Sequence, residues 1–87
     1  MCVKALRCDL EDTVAVVSQP VKAGTVVNAA GETLAALAHI PLGHKIALQD
    51  MAAGELVYKY GVHIGRSSQA IAKGEWVHTH NLQDITE

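Results

Sequence analysis

Apolar residues recur along this chain in a short motif: an apolar residue, two residues, Gly, two residues, and a second apolar residue. The motif occurs four times, as VKAGTVV (21–27), IPLGHKI (40–46), MAAGELV (51–57) and IAKGEWV (71–77). Gly24 and Gly54 lie 30 residues apart and Gly43 and Gly74 lie 31 apart, so the chain reads as two halves built on one plan. Each copy reads as a turn, with a glycine free to take positive φ and alternating apolar residues resuming directly after it. That alternation predicts strands over residues 13–17, 25–27, 33–37, 45–48, 56–60, 63–65 and 76–80. Short strands with closely spaced turns predict an all-β domain, with a sandwich or small barrel as the default architecture. One stretch, NAAGETLAALAHI, also carries helix-favouring Ala and Leu, and Gly31 and Pro41 restrict that minor alternative to about two turns.

Composition narrows what such a domain can hold. The 87 residues predict one domain, 1–87, that buries about two-thirds of the surface its unfolded chain exposes. Phe is absent and the aromatics are Trp76, Tyr58 and Tyr60, so Val, Ile, Leu and Ala build the core. A small aliphatic core leaves little room for a large enclosed pocket, which places any chemical site at an edge or at a junction with another chain. The net charge is −2 and the seven Lys and Arg are scattered, which argues against nucleic acid as a partner. No apolar run approaches the ~20 residues of a membrane span, and MCVKALRCDLEDTV lacks the apolar stretch of a secretory signal; a cytoplasmic location is expected. Cys2 and Cys8 match no zinc or redox spacing and read as two reduced thiols.

The densest polar constellation is WVHTHN, residues 76–81. Aligning the four glycines puts Asn28, Ala47, Tyr58 and His78 at one position, and Ala30, Gln49, Tyr60 and His80 at another, so the turn framework itself does not require histidine. In an extended 76–80 segment, His78 and His80 would share a face with Trp76, about 7 Å apart at their α-carbons, near enough to converge on one ion or one carboxylate. Asn81 adds an amide that can donate or accept. His44 and Lys45, in the second copy, are candidates for the missing elements of such a site. The other polar residues read as structural: His39 in a loop, His63 on a strand face, Arg66, Ser67 and Ser68 in a solvated turn with a weak anion-cradle alternative, Tyr58 and Tyr60 as packing, and Asp9, Glu11 and Asp12 as a solvated start to a strand.

Residues 40–81 carry a further signal in the order GHKIAL, G-E-x-V, KYG, IG, I-x-x-G-x-x-V and a closing H-x-H-N. This run resembles the SAF-type, β-clip domain of the altronate and galactarate dehydratase family, with DTVAVVSQPVKAG fitting more loosely ahead of it. The resemblance implies a small all-β, β-clip fold with internal pseudo-duplication. It implies a lyase that eliminates water from sugar acids, with a divalent metal, commonly iron, in the complete enzyme. In that family the domain is fused to a larger catalytic domain or made as a separate small subunit. A chain stopping six residues after Asn81 resembles the separate subunit.

The expectation is therefore an edge that completes or gates a site on a large catalytic partner. In it His78, His80 and Asn81 are the candidate catalytic residues and His44 and Lys45 the candidate substrate contacts, with His78 and His80 alternatively metal ligands or interface residues. The sequence leaves the oligomeric state open, with the small aliphatic core and the tyrosine face favouring association into a homo-oligomer. Three competing readings are the α subunit of a sulfolactate sulfo-lyase, which belongs to the same family; a non-enzymatic SAF binding module; and a self-sufficient metal-binding domain.

Overall fold

A computed structural model describes residues 3–7, 12–59 and 61–84. Cys2, Cys8, Asp9, Glu11 and Tyr60, on which some expectations rested, lie outside the described residues. Those residues form an all-β structure of nine strands. They are β1 (Val3–Leu6), β2 (Val14–Val17), β3 (Val26–Ala29), β4 (Glu32–Ala35), β5 (Lys45–Ala47), β6 (Leu56–Lys59), β7 (Val62–Ser67), β8 (Trp76–Val77) and β9 (Leu82–Asp84). One sheet has the order β4-β3-β1-β2-β5-β8 and a second the order β6-β7-β9.

The four glycine motifs are four copies of one turn. In each, the amide after the glycine donates to the carbonyl three residues back: Thr25 to Lys22, His44 to Pro41, Glu55 to Ala52 and Glu75 to Ala72, all at 3.0–3.1 Å. The glycines sit at φ +89, +80, +84 and +92°, the third-position conformation of a type II turn, which a side chain resists. The apolar residues that open the motifs pair with one another, Val21 with Ile40 and Met51 with Ile71. The two halves therefore each form a clip in which one turn is tied to the next.

Strand β5 belongs to both halves. Just ahead of it, Gly43 N–H donates to Val17 O and Val17 N–H donates to His44 O, at 3.1 and 3.0 Å, extending its pairing with β2. Toward β8 the same two bonds recur one half later, from Gly74 to Ala47 O and from Ala47 to Glu75 O, at 2.8 and 2.9 Å. Apolar residues alternate across this sheet into two cores. Ala15, Val17, Val27, Ile40 and Ile46 pack on one side with Trp76 against them, and Val14, Ala47, Met51, Val57, Ile71 and Val77 pack on the other, with Ile64 and Leu82.

Several sequence expectations are corrected. The helix alternative at NAAGETLAALAHI gives way to a hairpin, β3–β4, closed by Ala30 and Gly31 at φ +54 and +90° with Asn28 Oδ1 accepting from Gly31 N–H at 3.0 Å. Two positive φ values in a two-residue loop match the twist of the flanking strands, a geometry that outweighs Ala propensity. Strands β1 and β9 were not anticipated. The last expected strand is shorter, covering Trp76–Val77, with residues 78–81 in a bend and turn. Asp12 is buried at 2% exposure and its Oδ1 accepts from Gly61 N–H at 2.7 Å, so it fastens the β6–β7 hairpin instead of facing solvent. Arg66 and Ser67 lie in β7, not in a turn; Arg66 Nη1 donates to Gly54 O at 3.0 Å, and buried Ser67 holds Ala52 O and Glu55 N–H.

Candidate functional site

Register brings the second and fourth turns together. Strands β5 and β8 pair antiparallel with Lys45 opposite Val77 and Ile46 opposite Trp76. One step further along the ladder sets His44 beside His78, and their ring centroids lie 4.7 Å apart. Trp76 is the hub of this cluster. Its indole stacks on His78 at 5.3 Å and 8° between planes, tilts against His80 at 5.1 Å, and lies 5.8 Å from His44. The turn at residues 78–81, not strand alternation, is what wraps His80 back onto the same indole.

Trp76 also sets the chemistry of His44. Its Nε1–H donates to His44 Nδ1 at 3.1 Å. An indole N–H can only donate, so His44 offers a lone pair at Nδ1 and carries its proton on Nε2. His44 is thereby held as a hydrogen-bond donor toward whatever lies beyond Nε2. A sequence signal for this residue exists in the repeat. At the position after the turn glycine, copies three and four carry Glu55 and Glu75, whose carboxylates accept from Ala52 N–H and Ala72 N–H at 3.0 and 2.9 Å and close their own turns. At that position the counterpart of Ala52 and Ala72 for His44 is Pro41, which has no N–H to donate, so the His44 ring is left available for Trp76 and His78.

Asn81 holds the whole segment in shape. It is fully buried; its Oδ1 accepts from His78 N–H and its Nδ2 donates to Trp76 O, both at 2.9 Å, with Glu75 Oε2 at 3.5 Å. Its backbone N–H donates to His78 O at 3.0 Å and its carbonyl accepts from Ser68 N–H at 3.0 Å. Both ends of the amide are spent inside the loop.

Lys45, half-buried on β5, has its pKa lowered by desolvation and by the nearby charge of Lys59. His78 is lowered too, by desolvation first and then by His44, Lys45 and His80, so its neutral form is favoured. A cleft of about 340 Å³ opens beside these residues, lined by Lys45, Lys59, Ile64, His78, Thr79 and Leu82. Among the described residues no group of three or more His, Cys, Asp or Glu converges on a metal position. The candidates thus divide by position: His44, His78 and His80 around Trp76, Lys45 with His78 at the cleft, and Asn81 beneath them. His39 and His63 are exposed elsewhere, with His63 edge-on to Tyr58 at 6.2 Å.

Comparison with known proteins identifies the family of the fold. The altronate/galactarate dehydratase SAF domain model matches residues 3–85. The α subunit of (2R)-sulfolactate sulfo-lyase from Chromohalobacter salexigens is 54% identical over 44 residues, 51% of this chain and 47% of that one. Altronate dehydratase from Bacillus subtilis is 37% identical over 78 residues, 90% of this chain and 16% of the relative. The Paracoccus pantotrophus sulfo-lyase α subunit is 48% identical over 50 residues, 58% of this chain and 75% of that subunit. The chain thus spans about half of the first of these relatives and a sixth of the second. With a family match over nearly its whole length and an all-β clip of paired turns, this chain belongs to the altronate/galactarate dehydratase SAF domain family.

Proposed function

We propose that this domain forms one wall of a lyase active site that eliminates water from a 2-hydroxy sugar acid, the remaining machinery lying on a larger catalytic partner. The observation that carries the reading is the cluster of His44, His78 and His80 around Trp76, with Lys45 beside it, in a domain of this family. Elimination begins with removal of the proton beside a carboxylate, which develops enediolate charge, and ends when the β-hydroxyl departs as water with a proton from an acid. The resulting enol then becomes the 2-oxo acid. In this reading Lys45 holds the carboxylate, His44 donates from Nε2 to a substrate oxygen, and His78 or His80 moves a proton at the departing hydroxyl. Asn81 does not meet substrate; it positions the histidine turn.

The divalent metal implied by the family resemblance would stabilise the enediolate when bound. Among the described residues, two or three imidazoles without a further convergent ligand, beside a cleft lined by Lys45 and Lys59, do not fit a self-sufficient metal site. Its ligands are accordingly assigned to the partner, with His78 and His80 as donors this chain could add.

The test is to isolate the complex this chain forms in its native host and assay it against altronate, galactarate and (2R)-sulfolactate. His78→Ala with His80→Ala is expected to lower kcat by about 100-fold or more while the complex still assembles. Unchanged turnover would refute the catalytic role. A second reading, release of sulfite from a sulfonated 2-hydroxy acid, is favoured by the 54% identity to a sulfo-lyase α subunit. Sulfite release from sulfolactate in the same assay selects it.

A further inference from the structure

We infer that the cleft between β5, the end of β6 and the histidine turn is an anion subsite in which Lys59 and Thr79, together with Lys45, bind the carboxylate or sulfonate of the substrate. The inference rests on the lyase reading for the identity of the substrate, and on the geometry below for the subsite itself.

Lys45 begins β5 and Lys59 ends β6, so two lysines from different sheets line one cleft. They are close enough for the charge of one to act on the other. Both side chains are half-buried beside the cleft. An anion held in the cleft would be attracted to both ammonium groups. Ile64 and Leu82 supply apolar walls that limit solvent screening, and Thr79 adds a hydroxyl able to donate to an oxyanion. The volume, about 340 Å³, suits a small acid, not a polymer. His78 borders the same cleft and also touches His44, so an acid group held here lies next to the imidazole cluster. Lys59 opens KYG and Thr79 lies between the histidines of H-x-H-N, positions to which spacing alone assigns no chemistry.

The test uses the 87-residue chain and three probes, meso-tartrate, isethionate and uncharged erythritol, followed through ¹⁵N amide shifts. Saturable shifts at Lys45, Lys59 and Thr79 with tartrate identify a carboxylate subsite, and with isethionate a sulfonate subsite; erythritol is expected to shift neither. Lys59→Gln is expected to weaken the bound anion about tenfold, with Lys59→Arg restoring it, and added salt to weaken it in the wild type. Amides outside the cleft report that each variant is folded. No saturable shift with either anion, or equal affinity in Lys59→Gln, overturns the inference. If anion binding is lost in Lys59→Gln while the double histidine variant of the complex turns over normally, the subsite stands and the catalytic wall falls. If Lys59→Gln binds normally while the histidine variant is inactive, the reverse holds.

Discussion

Replacing Asn81 by Ala should unlatch the site without touching any residue that faces the cleft. The amide makes two hydrogen bonds of 2.9 Å, to His78 N–H and Trp76 O, inside a fully buried position. Losing two such bonds costs about 2 kcal/mol, and leaving their partners short of water adds about 1 kcal/mol more, for a total near 3 kcal/mol. An 87-residue domain is stable by roughly 4–13 kcal/mol, so the variant keeps only part of its margin. Urea denaturation followed by Trp76 fluorescence reads this directly, and the melting temperature should fall by about 12–24 °C. The isosteric Asn81→Asp sharpens the test. Its first oxygen still accepts from His78 N–H, while its second, in place of the donor, faces Trp76 O and Glu75 Oε2. Protonation relieves that conflict, so the folded state raises the carboxyl's pKa. The folded state then binds more protons than the unfolded one, and the deficit against wild type is smallest below pH ~4 and grows as pH rises through the folded value. An Asn81→Ala change under about 1 kcal/mol, or an Asn81→Asp deficit that does not shrink on acidification, would refute the latch.

Gly74→Ala should destabilise far more than Gly24→Ala: both have positive φ, but a Cβ at Gly74 runs into Ala35 O and lies 3.3 Å from Leu37 Cγ, whereas at Gly24 it meets open space. Thermal melts should show about 1 kcal/mol lost at Gly24 and at least twice that at Gly74; equal losses would contradict the close approach. Trp76→Phe keeps an aromatic ring and removes the Nε1–H, so the ¹⁵N spectrum of His44 should change from the Nε2–H form to a mixture of tautomers; an unchanged spectrum would mean the indole does not set the proton. His78 should titrate below the ordinary imidazole value of ~6.5 by NMR, and Lys45→Met should move its midpoint up. Because the folded state disfavours the charged ring, its contribution to stability is present above pH ~6.5 and is lost as pH falls toward the folded midpoint. A midpoint at or above 6.5 in the wild type would overturn this reading.

What the sequence made legible follows from its periodicities. The four turns were readable because a glycine that must take positive φ leaves a fixed mark, and the 30- and 31-residue spacings carried the pairing of halves. The cluster membership of His44 was only a conjecture from sequence, because it depends on which strands lie next to β5, a non-local choice that no local pattern encodes. Strand β1 was hidden for the same reason: it pairs in parallel with β3 and antiparallel with β2, contacts between distant segments. The alternation drawn through 76–80 extended the strand too far, since the buried amide of Asn81 draws the chain into a turn after Val77. Asp12 reads as surface because acidic residues nearby in sequence look solvated, whereas its partner, the amide of Gly61, is 49 residues away.

Strand β8, two residues long, is one of the two edge strands of the six-stranded sheet. An outer strand with a long straight backbone would invite another molecule's strand to pair with it and begin an aggregate. Here the chain bends away after Val77 and ties itself down through Asn81, so little unpaired backbone remains in line. The turn that gathers the histidines therefore also ends the sheet, and a change that straightened it would be expected to harm solubility as well as chemistry.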